Sequence, residues 1–297
     1  MFRKKIIVIS GGLGNQLFQF SFAHTLASNN RRNVLVYSPK PKNEARDFAL
    51  NSLCGECTHI QKVVLKRSSS IDFLFKFRDF LIFRFEGQFR TVLERFFYTE
   101  PNAYDYSVPL FTEKFYSGYF QNWRFVQEEF PLIQAELANA LSTHSLPISF
   151  QTINQPYGVI HFRRGDLIKF SQSMGVLEDS FFLGALDLAL RDNGERIKVI
   201  VLTDDKELGV HTFSGVVDEI YGPAEIDEWQ GLRLMSQAAF VITSNSTFSW
   251  WGGFLASKNG ATVYIPSPWF SNWTPDPGSA FEYPGFKKIP SKFKGVI

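Results

Sequence analysis

Short apolar strands that run into a polar or glycine-rich loop and then into a helix recur along most of the chain. The first such unit has a strand at 6–9, the loop GGLGNQ, a helix predicted over 15–28 and a second strand at 34–37. Apolar residues in this helix recur at spacings of three and four, which is typical of an amphipathic helix. Strands that alternate with helices predict an α/β fold with parallel, doubly wound sheets.

The second half of the chain repeats this alternation more clearly, and the stretch 142–156, rich in Ser, Thr, Asn, Gln and Pro, is typical of a linker. A chain of 297 residues is long enough for two domains with separate cores. We therefore predict an N-terminal domain over 1–150 and a C-terminal domain over 151–297, with a cleft between their strand carboxyl ends. Further strands are predicted at 115–120, 158–162, 197–202, 216–220, 240–243 and, last, 262–265, and helices at 125–141, 181–190, 226–239 and 248–256.

Charge, hydropathy and cysteine content limit the class of protein. The net charge of +2 gives no sign of nucleic-acid binding. No stretch approaches the 18 or more apolar residues of a membrane span, and the N-terminus lacks the apolar segment of a signal peptide. Cys54 and Cys57 form a CxxC with no second pair, so we interpret them as free thiols in a reducing compartment. These features predict a cytoplasmic protein.

The segment HFRRGD, at 161–166, directly follows a predicted buried strand, so its side chains emerge at the carboxyl end of that strand. Arginine presents forked donors that suit phosphate oxygens. Because neighbouring residues of a strand point to opposite faces, Arg163 is expected with His161 on the ligand side and Arg164 inside the domain. His161 can donate to a substrate oxygen or bind a base or ribose, and Asp166 can orient an arginine or accept a proton. The competing interpretation is an Arg–Asp salt bridge beside a core histidine.

The segment SNSTFSWWGG, at 244–253, also passes from strand to loop to helix. Helix N-termini bind anions through backbone N–H groups and the helix dipole, so we expect this turn to meet phosphate. The alternative is that Ser246 or Thr247 only caps the helix. Trp250 and Trp251 are expected to pack in the core or to line the cleft.

The segment TDD, at 203–205, ends another strand. Its carboxylates are candidates for accepting hydrogen bonds from a ribose or a guanine edge. Helix capping by Asp204 or Asp205 is the alternative, and a metal site is disfavoured because no third oxygen ligand lies at close spacing.

The segment GGLGNQLFQF, at 11–20, is not a P-loop, because no GK[ST] follows. It is not a dinucleotide fingerprint either, because Leu17 stands where a third glycine is needed. Its glycines allow a tight turn, and Asn15 and Gln16 place amides that suit uncharged polyols such as sugars. A purely structural turn is the alternative.

Together and in this order, these blocks resemble those of glycosyltransferase family 11, the α-1,2-fucosyltransferases. The matching segments are GGLGNQLFQFSFA (11–23), GYFQNWRF (118–125), GVIHFRRGDL (158–167), VLTDD (201–205) and SNSTFSWWGGFLA (244–256). The combination of HxRRxD with SNSTFSWWG is highly specific, whereas residues 40–110 and the C-terminal tail lie outside the resemblance.

The resemblance implies a GT-B-like fold with two Rossmann-like domains facing a cleft. It implies inverting transfer of L-fucose from GDP-β-L-fucose to the 2-hydroxyl of a terminal β-galactoside, as in O-antigen synthesis, without a cofactor or metal. The donor would lie on the C-terminal domain with Arg163 at its β-phosphate, and the acceptor on the N-terminal domain. The catalytic candidates are Arg163, His161 and Asp166, and the base stays open between Asp166, His161, an N-terminal carboxylate and a donor phosphate oxygen. The donor-binding candidates are Arg163, Arg164, Asp204, Asp205, Ser244, Asn245, Ser246, Thr247 and Phe248. The acceptor-binding candidates are Asn15, Gln16, Gln19, Gln121 and Trp123.

Two other functions stay open from the sequence. The arginine and SNST blocks also allow fucose transfer to another position or to a protein hydroxyl. A catalytically silent module that binds a nucleotide sugar or a glycan is the second, and the intact HFRRGD and SNST blocks argue against it.

A basic, phenylalanine-rich segment lies in the first hundred residues. Residues 1–100 carry 16 lysines and arginines against 8 acidic residues, a charge of +8, whereas the remainder carries −6. Nine of the 32 phenylalanines lie between Phe73 and Phe97, interleaved with lysine and arginine. One interpretation is an aromatic core of the N-terminal domain. The other is a peripheral contact with an anionic inner membrane, which suits a lipid-linked acceptor.

Overall fold

The chain, in a computed structural model, divides into two compact units, residues 1–139 and 140–297. The sequence-based boundary, between residues 150 and 151, falls in a stretch outside the described residues. The structure describes residues 5–30, 34–37, 49–53, 97–99, 104, 106, 115–147, 155–165, 174–194, 197–272 and 277–295.

The first unit contains a four-stranded parallel sheet in the order β2-β1-β4-β3. Its neighbouring central strands, β1 and β4, run the same way, so the loops after them lie at one edge of the sheet. The strands are β1 (Lys5–Val8), β2 (Val34–Tyr37), β3 (Phe97–Thr99) and β4 (Phe115–Ser117); the helices are α1 (Leu13–Asn30) and α2 (Trp123–Thr143), with a 3₁₀ turn at Ala49–Leu53.

Aromatic packing fixes helix α1 on this sheet. The ring of Phe22 is fully buried and stacks on Phe120 with their centroids 3.8 Å apart. Edge contacts with Tyr116 of β4 and Phe125 of α2 surround the same ring. The phenylalanines of the motif helix therefore serve the core, as their spacing predicted.

The second unit contains a six-stranded parallel sheet in the order β10-β9-β8-β5-β6-β7. From β5 the chain moves outward through β6 to β7, and it then returns to β8 and moves outward in the other direction, which is the strand order of a Rossmann fold. The strands are β5 (Tyr157–Phe162), β6 (Lys198–Thr203), β7 (Glu219–Tyr221), β8 (Phe240–Ile242), β9 (Thr262–Ser267) and β10 (Lys287–Pro290); the helices are α3 (Asp179–Asn193), α4 (Lys206–Phe213), α5 (Glu228–Ser236) and α6 (Thr247–Lys258), with a 3₁₀ turn at Pro277–Ala280.

Strand β5 lies at the centre of this sheet, and all six of its residues are buried. Gly158 permits the close approach of β8, because a side-chain carbon at that position would lie 2.0 Å from the ring of Phe240. Trp250 and Trp251 of α6 are also fully buried, which confirms their predicted packing in the core. The order in which successive strands are added to the sheet reverses between β5 and β8, so a ligand site is expected at the carboxyl ends of these two parallel strands.

The α/β class and the two Rossmann-like units with parallel sheets are confirmed. The prediction that the strand at 262–265 is the last was wrong, since β10 adds an edge strand whose residues are largely exposed and therefore weakly patterned. Helix α4 was not predicted, because its eight residues are too short to show a clear period. The predicted cleft between the units stays a prediction. None of the helices in the described part of the chain is both long and apolar enough to cross a bilayer.

Candidate active site

Two of the predicted motifs lie side by side where the strand order of the second sheet reverses, at β5 and β8. The loop 163–165 follows β5, and residues 243–246 follow β8, its hydrogen-bonded parallel neighbour. Ligands of open α/β sheets bind outside the strand carboxyl ends at such a switch point. The described part of HFRRGD and the SNST block therefore form the candidate site of the second unit.

Arg163 reaches across the switch point to the start of α6. Its Nη1 donates to Ser246 Oγ over 3.3 Å, and its Nε lies 4.0 Å from Asp204 Oδ2. The side chain is 20% exposed, so it is held in place and still accessible. Arginine binds phosphate through its charge and forked donors, and the phosphate contact of Arg163 stays a prediction.

Ser246 occupies the N-cap position of α6, but its side chain makes no capping hydrogen bond. Its hydroxyl oxygen instead accepts from Arg163. The predicted capping role is therefore right in position and wrong in the bond that Ser246 makes. N–H groups in the first turn of a helix have no acceptor within the helix, and this end carries the positive end of the dipole. Arg163 and the start of α6 thus place positive potential at one point.

Arg164 has the opposite environment. Its side chain is 1% exposed, and its guanidinium lies 3.9 Å from the centroid of the Phe162 ring. Its Nη2 donates to Asp179 Oδ1 over 2.6 Å. Burial in these surroundings lowers the pKa of Arg164. The predicted donor contact of Arg164 is not supported by this burial, whereas its predicted position inside the domain is.

Asp204 and Asp205 have different structural tasks. Asp204 Oδ1 accepts from the backbone N–H of Arg164 over 2.7 Å and so holds the loop after β5. A side-chain carbon at Gly165 would approach Asp204 Oδ2 to 2.8 Å, so a larger residue there would require the Asp204 side chain to shift. Asp205 caps helix α4 by accepting from the N–H of Leu208 over 3.0 Å, which is the capping alternative of the sequence analysis. Ribose or base contacts of both aspartates stay predictions.

His161, at the penultimate position of β5, is buried beside the SNST block. Its Nδ1 lies 3.0 Å from Ser244 Oγ, and its ring centroid is 5.3 Å from that of Phe248. Burial and then the nearby charge of Arg163 lower the pKa of His161 to about 3. The imidazole is therefore neutral near pH 7, and it is a weak candidate for the catalytic base.

Asn245 anchors the segment before α3. Its Nδ2 donates to the carbonyl oxygens of Met174 and Gly175 over 3.1 and 3.0 Å. Only 5% of Asn245 is exposed, so its amide is a structural tie between β8 and this segment. Thr247 and Phe248, in the first turn of α6, are half-buried, and their predicted donor contacts stay predictions. Asp166 lies outside the described residues.

In the first unit, two predicted acceptor-binding glutamines hold backbone instead. Gln19 accepts from the N–H of Ser10 over 3.0 Å and donates to the carbonyl of Gly118 over 2.8 Å, so it ties the loops after β1 and β4 together. Gln16 donates to Gly11 O over 2.8 Å and accepts from the N–H of Ala49 over 3.0 Å. Both side chains are buried, which argues against the predicted direct contact with an acceptor.

Of the other predicted acceptor residues, Asn15 and Trp123 are half-buried, whereas Gln121 is buried, with 7% of its surface exposed. Gln121 Nε2 donates to Asn15 Oδ1 over 2.8 Å, which brings two separate motifs together. Trp123 is half-buried, and the guanidinium of Arg124 lies 4.8 Å from its ring centroid. The loop that joins β4 to α2 turns at Phe120, whose φ of 51° is unusual for a residue other than glycine. Contacts of Asn15, Gln121 and Trp123 with an acceptor stay predictions.

Sequence reasoning missed two residues that organise the second-unit site. Asp179 balances the buried charge of Arg164, and Ser249 lies behind Ser244, 3.4 Å away between hydroxyl oxygens. An acidic residue in the first turn of the helix after a double arginine was a usable signal for Asp179. Nothing in the sequence distinguishes Ser249 from other helix serines. Within the described residues no three His, Cys, Asp or Glu side chains are grouped as metal ligands.

Comparison with known sequences identifies the family. Residues 6–274 match the profile of Glycosyl transferase family 11. The chain belongs to this family. Two relatives from Escherichia coli align over nearly the whole chain. The O-antigen biosynthesis glycosyltransferase WbnK is 26% identical over 286 residues, or 89% of this chain and 94% of the relative. An alpha-1,2-colitosyltransferase is 24% identical over 279 residues, or 88% and 91%.

Similarity to solved structures is weaker. The fucosyltransferase NodZ from Bradyrhizobium aligns with 84% of this family 11 chain and 92% of its own at 13% identity, with a TM-score of 0.49. Membership of family 11 therefore rests on the sequence match, and it makes the protein a glycosyltransferase.

Proposed function

We propose that this glycosyltransferase transfers L-fucose, with inversion, from GDP-β-L-fucose to the 2-hydroxyl of a terminal β-galactoside in O-antigen or a related surface glycan. The observation that carries the proposal is the meeting of Arg163, Ser246 and the start of α6 at the switch point of the second sheet. A diphosphate leaving group needs positive potential at this place. The relative WbnK, by its name an O-antigen glycosyltransferase, supports the glycan class.

In the proposed step the sugar C1–O bond to the β-phosphate breaks, and its electron pair leaves with GDP. The galactoside 2-hydroxyl oxygen attacks C1 from the opposite face and forms the new glycosidic bond. Arg163 and the first turn of α6 stabilise the charge that develops on the phosphate, which is a preorganised electrostatic role. The hydroxyl proton leaves to a base, for which Asp166, a carboxylate of the first unit or a phosphate oxygen is a better candidate than His161, because His161 has a pKa of about 3.

No metal or other cofactor is needed in this proposal, because the side chain of Arg163 and the N-terminus of α6 together stabilise the negative charge of the diphosphate. We expect full activity after treatment with EDTA. Loss of activity that is restored by a divalent cation would contradict this part and would make Asp204 and Asp205 ligand candidates.

The acceptor is proposed to lie at the edge of the first sheet formed by the loops after β1 and β4. Asn15 and Gln121 place a hydrogen-bonded amide pair there, and Tyr119 between β4 and Gln121 is 40% exposed. Amides and an exposed aromatic ring suit the hydroxyls and the apolar face of a galactoside.

A second candidate donor is GDP-colitose, because one relative is by name an alpha-1,2-colitosyltransferase. Colitose is L-fucose without its 3-hydroxyl. Both donors would therefore use the same phosphate-binding site and form the same linkage.

The deciding experiment supplies GDP-fucose or GDP-colitose with lactose, N-acetyllactosamine, Gal-β1,3-GlcNAc or Gal-β1,3-GalNAc. GDP release is measured, and the product linkage is determined by NMR. We expect an α-1,2-fucosylated galactoside. A different linkage, or transfer to a protein hydroxyl, would overturn the acceptor assignment, and binding of GDP-fucose without turnover on any acceptor would favour a silent binding module.

A further inference from the structure

A line of buried hydrogen bonds runs from His161 to the backbone of α6. His161 Nδ1 lies 3.0 Å from Ser244 Oγ, and Ser244 Oγ lies 3.4 Å from Ser249 Oγ. Ser249 Oγ in turn lies 3.1 Å from the carbonyl oxygen of Ser246 and 3.2 Å from that of Ser244. Both serine side chains have no exposed surface.

The backbone carbonyls at one end of this chain of hydrogen bonds fix which group donates at each step. A carbonyl oxygen only accepts, so Ser249 donates its single proton to the backbone. Its oxygen can then accept the proton of Ser244, and Ser244 can accept from a protonated Nδ1 of His161. This arrangement makes three hydrogen bonds, whereas either arrangement in which Ser244 donates to His161 makes only two. Each buried bond left unmade costs about 1 kcal/mol or more.

The other ring nitrogen, Nε2, is then the acceptor of the imidazole. A neutral imidazole carries one N–H and one lone pair, and burial keeps the ring neutral here. Nε2 has no hydrogen-bond partner among the described residues, but unlike Asn245 Oδ1 it is not sealed from solvent.

We infer that Ser249, acting through Ser244, holds His161 in the tautomer protonated at Nδ1, so that Nε2 accepts a hydrogen bond from a ligand hydroxyl. The identity of the ligand rests on the proposed function; the tautomer does not. A phosphate oxygen without a proton cannot be the partner of Nε2, so Arg163 binds phosphate while His161 recognises a hydroxyl. This reverses the sequence-based expectation that His161 donates. Ser244 and Ser249 are positioning residues in this arrangement.

The tautomer can be read directly by ¹⁵N NMR of the ligand-free protein labelled at histidine. The chain has five histidines, and the signals of His161 are those absent from the His161→Gln variant. We expect Nδ1 to resonate as a protonated nitrogen and Nε2 as an unprotonated one. The opposite pattern in the wild-type protein overturns the inference.

Substitution of Ser249 tests the proposed control. In Ser249→Ala the proton of Ser244 loses its acceptor and turns to Nδ1, so the proton of the ring is expected to move to Nε2. Ser257→Ala is a matched control, because Ser257 of the same helix donates over 2.7 Å to the carbonyl three residues before it and has no contact with His161. An unchanged tautomer in folded Ser249→Ala, or the same switch in Ser257→Ala, overturns the role of Ser249.

Ligand titrations identify the hydroxyl. A change in the Nε2 shift on addition of GDP indicates a ribose hydroxyl, a change only with GDP-fucose indicates the sugar, and a change only with galactoside indicates the acceptor. We expect the KM of that ligand to rise about fivefold in Ser249→Ala, with little change in kcat. If GDP binds by calorimetry but no ligand moves the Nε2 signal, the hydroxyl contact is wrong. If no ligand binds at all, the proposed function fails, and the tautomer is still decided on the free protein.

Discussion

Arg163 and Arg164 are neighbours in sequence with opposite roles. Arg163 is 20% exposed and bonds to Ser246, whereas Arg164 is 1% exposed and bonds to Asp179. Both lie in the loop directly after β5, where Asp204 accepts from the backbone N–H of Arg164 and Asp179 accepts from its guanidinium. Arg163 is therefore the more accessible of the two, whereas Arg164 supports the loop.

Replacement of Arg163 tests the phosphate role. We expect Arg163→Ala to lower kcat by ~10²–10³, as for loss of one preorganised donor to a developing charge. Arg163→Lys should restore little of this, because the single ammonium cannot reproduce the guanidinium fork. Steady-state GDP release measures both variants. Arg191→Ala, at an exposed arginine of α3, is the control and should keep wild-type activity; near-normal turnover in Arg163→Ala would contradict the assignment.

The neutral state of His161 predicts a pH dependence of stability. Its pKa is about 3 when folded and near 6.5 when unfolded, so the unfolded chain binds one more proton between these values. The contribution of His161 is therefore complete above about pH 6.5 and is lost as the pH falls toward 3. When the pH is lowered from 7 to 4.5, we expect the unfolding free energy of the wild type to fall by about 2 kcal/mol more than that of His161→Gln.

Urea unfolding at the two pH values, followed by circular dichroism, measures this difference. The exposed His211→Gln serves as the matched control and should behave like the wild type. Equal losses in wild type and His161→Gln would mean that His161 is not held neutral.

Single residues were predictable from sequence where strand geometry alone decides, and not where a distant partner decides. The opposite environments of Arg163 and Arg164 agree with the alternation expected from a strand, although β5 ends at Phe162 and both arginines lie in the loop after it. The burial of Gln16 and Gln19 depends on hydrogen bonds with backbone groups at Ala49 and Gly118, up to 99 residues away in sequence. No local pattern signals such partners.

At the scale of elements, one ion pair joins helix α3 to the end of β5. Arg164 Nη2 donates to Asp179 Oδ1, and Lys294 Nζ lies 3.1 Å from the same carboxylate oxygen. Although burial alone would raise it, these hydrogen bonds hold the pKa of Asp179 below its usual value. Removal of Asp179 leaves the guanidinium of Arg164 buried without its partner.

We therefore expect Asp179→Ala to reduce the unfolding free energy by about 3 kcal/mol, the lower end for a broken buried pair, because the carboxylate itself is 36% exposed. Asp187→Ala, which breaks an exposed pair with Arg191 in the same helix, should cost less than about 0.5 kcal/mol. Urea unfolding compares the two. Equal small losses would show that the pair does not anchor α3.

Element prediction succeeded where a hydrophobic period was long enough to see. Helix α1 was predicted over 15–28 and spans Leu13–Asn30, and the core strand β5 differs from its prediction by one residue. The short helix α4 and the edge strand β10 bury too little to impose a period. The sheet order, which creates the switch point at β5 and β8, arises from pairing between strands about 80 residues apart. No single segment of the sequence therefore predicts it.

For the whole molecule, the uneven charge predicts behaviour at a membrane surface. Residues 1–100 carry +8, and the phenylalanine-rich stretch that contributes to it, residues 73–96, lies outside the described residues, with Phe97 beginning β3. We expect the protein to sediment with vesicles containing anionic phospholipid at low salt and to be released at high salt. Neutral phosphatidylcholine vesicles are the control. Equal recovery with both vesicle types would leave the segment as part of a protein core.

The proposal that the second unit binds the nucleotide and the first unit binds the galactoside can be tested without any mutation. If the second unit binds the nucleotide, GDP should slow amide hydrogen exchange at the carboxyl edge of its sheet, in peptides covering residues 158–165, 203–208 and 244–250. A β-galactoside should instead protect peptides covering residues 10–19 and 117–123, where Gln19 and Gln121 link the loops after β1 and β4. Adenosine diphosphate and glucose are the matched control ligands. If GDP protects only the peptides of the first sheet, the donor binds the first unit. The switch point of the second sheet would then not be the donor site.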